Sequence, residues 1–161
     1  FTQVVHQSGD NPLTADRGWL DGRRAALPAP LAPRYTVVPY VNAELADIYA
    51  TAALVVGRAG AGTVNECCHL GVPALYIPLP GTSGDEQMVN ARLVERAGGA
   101  SVLPQGELTT DTLLARIKSL VTNPTALKEM GERARTLAIS DATDRIVNLL
   151  LEIATPTPAA R

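Results

Sequence analysis

The segment Arg58-Ala59-Gly60-Ala61-Gly62-Thr63 directly follows the apolar run Ala53-Leu54-Val55-Val56-Gly57. Gly60 and Gly62 permit a sharp turn and close backbone approach. A helix starting after that turn presents free N–H groups and the positive end of its dipole, which suits a diphosphate. Arg58 would add a charge-assisted contact. A turn of this kind built only for packing is the alternative. Glu66 stands three residues after Thr63, which allows two readings. One is a capping box, with Thr63 and Glu66 each satisfying the other's backbone donor. The other is a carboxylate that accepts from the vicinal hydroxyls of a ribose. Ser83 and Glu86 repeat the capping-box spacing. Gln87 carries both a donor and an acceptor, so it can read a sugar hydroxyl in either sense, or sit exposed in a first helical turn.

Other reactive types have plainer readings. His6 lies in an apolar run and His69 near a helix end, and neither has a Ser or Asp placed for a triad. Both read as structural. The Arg23-Arg24 and Glu95-Arg96 pairs read as solvated faces. Cys67 and Cys68 are adjacent, cannot staple distant segments, and read as small core residues. No Cys/His set has zinc spacing, and the reading calls for no metal or cofactor.

These groups need a scaffold. Thr2 to His6 reads as a strand ending in the turn Ser8-Gly9-Asp10. A short helix is predicted over Trp19–Leu27, limited by Pro28, Pro30 and Pro33. Tyr35–Val38 reads as a strand stopped by Pro39, and Asn42 as the cap of a helix to Ala50. Further strands are predicted at Ala53–Gly57, Ala74–Ile77 and Ala100–Leu103. Helices are predicted at Thr63–Leu70 and Asp85–Ala97, each closed by glycine. Three more follow, at Thr110–Val121, Pro124–Ala138 and Ala142–Ile153, with caps at Thr109, Asn123 and Asp141. Residues 155–161 read as a tail, after a domain spanning 1–154. Apolar strands alternating with helices imply a parallel sheet covered on both faces, the α/β, Rossmann-like class. In such sheets ligands bind at the carboxyl ends of the strands. That rule selects the loops Ser8-Gly9, Tyr40-Val41, Arg58 to Gly62 and Pro78 to Gln87. Their chemistry converges on a phosphate-bearing, hydroxyl-rich small molecule.

Composition narrows the classes. The chain has 161 residues, with 14 Lys plus Arg against 16 Asp plus Glu, for a net charge of −2. That argues against an extended nucleic-acid or anionic-lipid surface. Hydrophobic residues make up 46%, too many for a disordered chain, and aromatics 4%, too few for a base-stacking platform. No apolar run reaches the ~18 residues of a membrane span, and no signal peptide is visible.

The stretches His6-Gln7-Ser8-Gly9, Pro39-Tyr40-Val41, and Arg58 through Glu66 together resemble the MurG family of glycosyltransferase family 28. So do Leu70-Gly71-Val72-Pro73-Ala74 with Ile77-Pro78, and Asp85 through Arg92. The helix starting Asp141-Ala142-Thr143-Asp144-Arg145-Ile146 is similar to the family's closing helix. The resemblance covers Phe1 to about Asn148.

It implies the C-terminal, donor-binding half of a GT-B transferase, with the domain's first strand and glycine-rich loop expected before Phe1. The donor would be UDP-N-acetylglucosamine and the acceptor lipid-linked, held by an N-terminal domain that also contributes the base. By matching positions, Val41 backbone would read uracil with Tyr40 flanking the base. Ser8 and the Ala61-Gly62-Thr63 turn would face the diphosphate. Glu66 would hold the ribose, and Glu86 and Gln87 would face the sugar. Many relatives carry Gln or His at the position of Glu86, and a larger residue at that of Gly62. Work at the cytoplasmic membrane face in peptidoglycan synthesis is implied, by inverting displacement at the anomeric carbon. Other readings are a glycolipid-making UDP-sugar transferase, the donor subunit of a split transferase, a non-catalytic nucleotide-sugar binding module, and a domain kept only for assembly.

Overall fold

The computed structural model describes residues 2–154. The strands are β1 (Val4–Gln7), β2 (Tyr35–Val38), β3 (Val55–Gly57), β4 (Ala74–Tyr76) and β5 (Ala100–Val102). The helices are α1 (Asp16–Ala25), α2 (Leu45–Thr51), α3 (Ala61–Leu70), α4 (Glu86–Arg96), α5 (Thr110–Val121), α6 (Pro124–Arg135) and α7 (Ala142–Ala154). Strands and helices alternate as far as β5, and every strand pair is parallel. The chain is therefore α/β, as its apolar strand runs predicted. The predicted tail at 155–161 lies outside the described residues.

One expectation is corrected. The strands form a two-stranded sheet, β1-β2, and a separate three-stranded sheet, β3-β4-β5. Among the described residues β1 pairs only with β2, and β3 only with β4. Apolar runs signal burial, but they carry no information on which strand neighbours which. The division matches two compact units, Phe1–Ile48 and Tyr49–Arg161.

In the first unit, Val4 pairs with Tyr35 and Gln7 with Val38. The ladder continues past the strand ends, where the Ser8 N–H donates to Val38 O and the Gly9 N–H to Pro39 O, both at 2.9 Å. Gly9 has φ of 71°, a left-handed conformation that side chains disfavour. Helix α1 packs on β2 and buries Leu20. It begins at Asp16 rather than Trp19: the Asp16 carboxylate suits the positive end of a first helical turn, and Pro28 limits only the other end. Helix α2 starts at Leu45 rather than beside Asn42, whose carbonyl accepts a turn bond from the Leu45 N–H.

In the second unit, β4 lies between β3 and β5, and all three of its residues are buried. The core gathers Tyr76, Val102, Ala74 and Ala100 from the sheet with Val64, Cys67, Ala91 and Val94 from α3 and α4. Both cysteines are buried and unpaired, as expected of core residues. Helix α3 ends at Gly71, φ 67°, with Gly71 and Val72 N–H groups returning to Cys68 O and Cys67 O. Helix α4 closes in the same way at Gly98 and Gly99. Both are Schellman-type ends. Helix α6 packs on α3 so closely that a Cβ at Gly131 would stand 2.2 Å from Gly71 O. The caps at Thr109 and Asn123 form as predicted, accepting from Thr112 and Ala126 N–H groups. Asp141 instead uses its carboxylate to accept from Arg145 Nε at 2.9 Å.

Candidate functional site

The predicted site residues fall into two groups, one in each unit.

In the first unit they sit at the carboxyl ends of β1 and β2. The Ser8 hydroxyl donates to Gly9 O at 2.9 Å or Val38 O at 3.2 Å. Its oxygen lone pairs are left to accept. Tyr40 is 58% exposed, so its ring is free to lie against a planar ligand. The Val41 N–H donates to Gln7 Oε1 at 2.8 Å. A ligand carbonyl on that N–H would have to replace the amide oxygen of Gln7. Gln7 was not among the predicted site residues. Only the β1–β2 register, which puts the end of one strand beside the loop after the other, brings it there.

In the second unit they lie at the start of α4, on the turn into α3 and on α3 itself. The helix begins at Ala61 with Gly60 as its cap residue, and no side chain caps it. The first bond back is from Val64 N–H to Gly60 O at 3.0 Å. The N–H groups of Ala61, Gly62 and Thr63 therefore precede the helical ladder and point out of the amino end. Such an arrangement suits an anion. The capping box of Thr63 with Glu66 does not form. The helix starts two residues earlier than predicted, so Thr63 lies inside the first turn and its hydroxyl is misplaced for a cap.

Glu66 is thereby released, and it lies exposed on α3. Its Oε2 accepts from the Tyr49 hydroxyl at 2.8 Å. The capping box of Ser83 with Glu86 is also absent. A short 3-10 turn covers Ser83–Asp85, and α4 starts at Glu86 after Asp85, which sits at φ 51° with no capping bond. Glu86 is exposed in the first turn of α4.

The turn before α3 is held from below. Ala59 is fully buried, and its carbonyl accepts from Asn90 Nδ2 at 3.2 Å. Arg58 Nη1 donates to Ile77 O at 2.9 Å and to Gln105 Oε1 at 2.5 Å. Through one nitrogen Arg58, on the loop after β3, thus ties that loop to the loops after β4 and β5. Gln87 takes the Leu79 N–H on its Oε1 at 3.0 Å. That engages its acceptor, so the Nε2 donors remain to address a ligand. Asn90, Gln105 and Tyr49 carry no local signal of this role, because each acts across a long sequence separation.

Burial governs the titration of Tyr49 on α2 and of the two cysteines of α3. It pushes the Cys67 thiol up to about 11 and raises the Cys68 thiol. Burial, then the bond to Glu66, holds the Tyr49 phenol well above its ordinary range. His6 Nδ1 lies 2.7 Å from the Tyr35 hydroxyl, and His69 Nδ1 3.0 Å from Asn65 O. Both histidines are engaged in local structure. An open concavity is lined by Gly71, by Lys128, Gly131, Glu132 and Arg135 along α6 and by Thr136 at its end, and by none of the predicted residues. Among the described residues no helix is long and apolar enough to cross a membrane.

Comparison with known proteins identifies the family of the chain. Residues 1–146 match the model of the glycosyltransferase family 28 C-terminal domain. A protein of Azotobacter vinelandii, named UDP-N-acetylglucosamine--N-acetylmuramyl-(pentapeptide) pyrophosphoryl-undecaprenol N-acetylglucosamine transferase, is 41% identical over 94% of this chain. A relative of the same name from Phenylobacterium zucineum is 40% identical over 94% of the chain. The chain spans about two-fifths of the length of these relatives, 40% and 39%. The crystal structure of Acinetobacter baumannii MurG superimposes with a TM-score of 0.76 at 31% identity, over 93% of this chain and 41% of that one. Glycosyltransferase VinC in complex with dTDP shares the fold, with a TM-score of 0.67 at 21% identity over 93% of this chain and 34% of that one. An α/β chain with parallel strands, matched along nearly its whole described length, thus belongs to glycosyltransferase family 28, of which it carries the C-terminal domain.

Proposed function

We propose that residues 1–154 are the donor-binding domain of an inverting transferase that moves N-acetylglucosamine from UDP-N-acetylglucosamine to a lipid-linked acceptor in peptidoglycan synthesis. The observation that carries this reading is the uncapped start of α3, with Glu66 free of any capping duty on the same helix. The names of the relatives, at about 40% identity, favour this donor over other nucleotide sugars.

In this reading the diphosphate rests on the N–H groups of Ala61, Gly62 and Thr63. The ribose hydroxyls donate to Glu66. In the first unit, the family resemblance gives Tyr40 and the Val41 backbone to the uracil and the Ser8 hydroxyl, as a donor in place of its bond to Gly9 O or Val38 O, to a phosphate. Gln87 Nε2 and Glu86 face the sugar, and Arg58 keeps the turn in shape. The acceptor hydroxyl attacks the anomeric carbon as the bond to UDP breaks. Negative charge then grows on the diphosphate, where fixed N–H groups stabilise it more in the transition state than in the ground state. The base that takes the acceptor's proton is expected from the family's N-terminal domain, and the place of work is the inner face of the cell membrane.

Calorimetric titration with UDP-N-acetylglucosamine, UDP-glucose and UDP tests this reading, with circular dichroism to verify folding. Selective binding of the N-acetylated donor, lost in Glu66→Ala, is expected. Equal binding of all three would leave only a uridine-diphosphate site and turn the reading toward a glycolipid-making transferase. No binding by a folded chain would count against a donor site made by these residues alone.

A further inference from the structure

Glu66 is a flexible side chain on an exposed helix face, yet ribose recognition needs its carboxylate in one place. We propose that Tyr49 is the positioning residue that holds the Glu66 carboxylate in its ribose-accepting orientation. This inference rests on the reading of Glu66 given above.

The Tyr49 ring is partly buried and packs against the cluster that contains Ala59, Val64 and Cys67. Its hydroxyl emerges from that packing and donates to Glu66 Oε2 at 2.8 Å. A tyrosine has few rotatable bonds, so a packed ring fixes its oxygen in space. Glu66 has three torsions, which that single bond restrains. Among the described residues no ion pair involves Glu66, so no cation is set to draw the carboxylate elsewhere. Oε1 and one lone pair of Oε2 remain for the vicinal hydroxyls. A phenol is a suitable holder. It donates one proton, accepts little, and leaves the carboxylate its full charge, whereas a lysine there would add a competing cation at a phosphate site. The phenol also stays protonated throughout the neutral range, because burial and the bond to Glu66 both oppose its ionisation.

The test compares UDP with 2′,3′-dideoxy-UDP, which lacks the hydroxyls Glu66 would receive. Both ligands are titrated calorimetrically against the full chain and its Tyr49→Phe, Glu66→Gln and doubly substituted forms. Tyr49→Phe keeps the ring and removes only the hydroxyl. UDP affinity is expected to fall about fivefold, the value of one hydrogen bond of ordinary strength. The dideoxy ligand should bind the wild type and Tyr49→Phe equally, and the double form should bind UDP no more weakly than Glu66→Gln alone. Equal losses for both ligands in Tyr49→Phe would reduce Tyr49 to a packing residue and overturn the inference. So would an unchanged UDP affinity in Tyr49→Phe while Glu66→Gln weakens it, and that result would leave the reading of Glu66 standing. If the wild type binds both ligands alike, the reading of Glu66 fails and the inference with it. Tyr49→Met, which fills similar space without a hydroxyl, provides the same comparison if Tyr49→Phe does not fold.

Discussion

Asn90 Nδ2 donates to the carbonyl of Ala59 at 3.2 Å, which ties α4 to the buried floor of the turn before α3. The bond is partly buried, and it orients a peptide plane immediately before the N–H groups proposed to receive the diphosphate. Asn90→Ala leaves that carbonyl without its partner. A loss of about 1 kcal/mol in stability is expected, with weaker UDP binding beyond what the stability change alone brings. Thermal melts and titration of the same sample check this. A variant equal to wild type in UDP affinity would show that the turn keeps its shape without α4.

Gly62 separates stability from binding. A Cβ there meets nothing within 4 Å, and the residue lies in the first turn of α3. Gly62→Asp adds a negative charge at the positive end of the helix dipole and removes a flexible residue. Both effects favour the fold, by roughly 0.5–1 kcal/mol together. The same carboxylate repels a diphosphate. The melting temperature should therefore rise while UDP affinity falls at least tenfold. Retained UDP affinity would place the diphosphate elsewhere.

Gly131 is a packing residue of α6. A Cβ at this position would lie 2.2 Å from Gly71 O, a backbone atom that cannot swing aside. Gly131→Ala must push α6 away from the Gly71 turn, at a cost of roughly 2–3 kcal/mol. The value exceeds the helix-propensity gain of about 1 kcal/mol that the same change brings in an open helix. Chemical denaturation should show a net loss, and a stabilised variant would contradict the close packing of α6.

Alkaline pH should weaken the fold in a defined window. The Cys67 thiol is raised from 9.0 to about 11 in the folded chain. The unfolded chain loses that proton first, so it binds fewer protons than the folded chain between these values. The stabilising contribution is full below pH 9 and is lost as pH rises toward 11. Tyr49 shifts in the same direction and adds to the loss above its ordinary value of 10.0. Denaturation midpoints measured from pH 8 to pH 11 should fall, and Cys67→Ala should flatten part of the slope. In the native state at pH 8 iodoacetamide should label neither cysteine, with full labelling on unfolding.

The sequence by itself determined the alternation of strands and helices and the α/β class, and it marked the loops after the strands as candidates for a ligand. These are local properties: apolar runs of strand length, proline and glycine stops, and caps such as Thr109 and Asn123 that act within a single turn. It also brought Glu66 forward, although it left two roles for it. Tertiary structure removed the capping role. Helix α3 starts at Ala61, set by the packed floor at Ala59, so the Thr63–Glu66 spacing never becomes a cap. Long-range pairing likewise put Tyr49 beside Glu66, Gln7 beside Val41 and Gln105 beside Arg58. It also divided the strands between two sheets. Hydrogen bonds between residues 17, 34 and 47 positions apart depend on which elements pack together, and spacing along the chain carries no record of that.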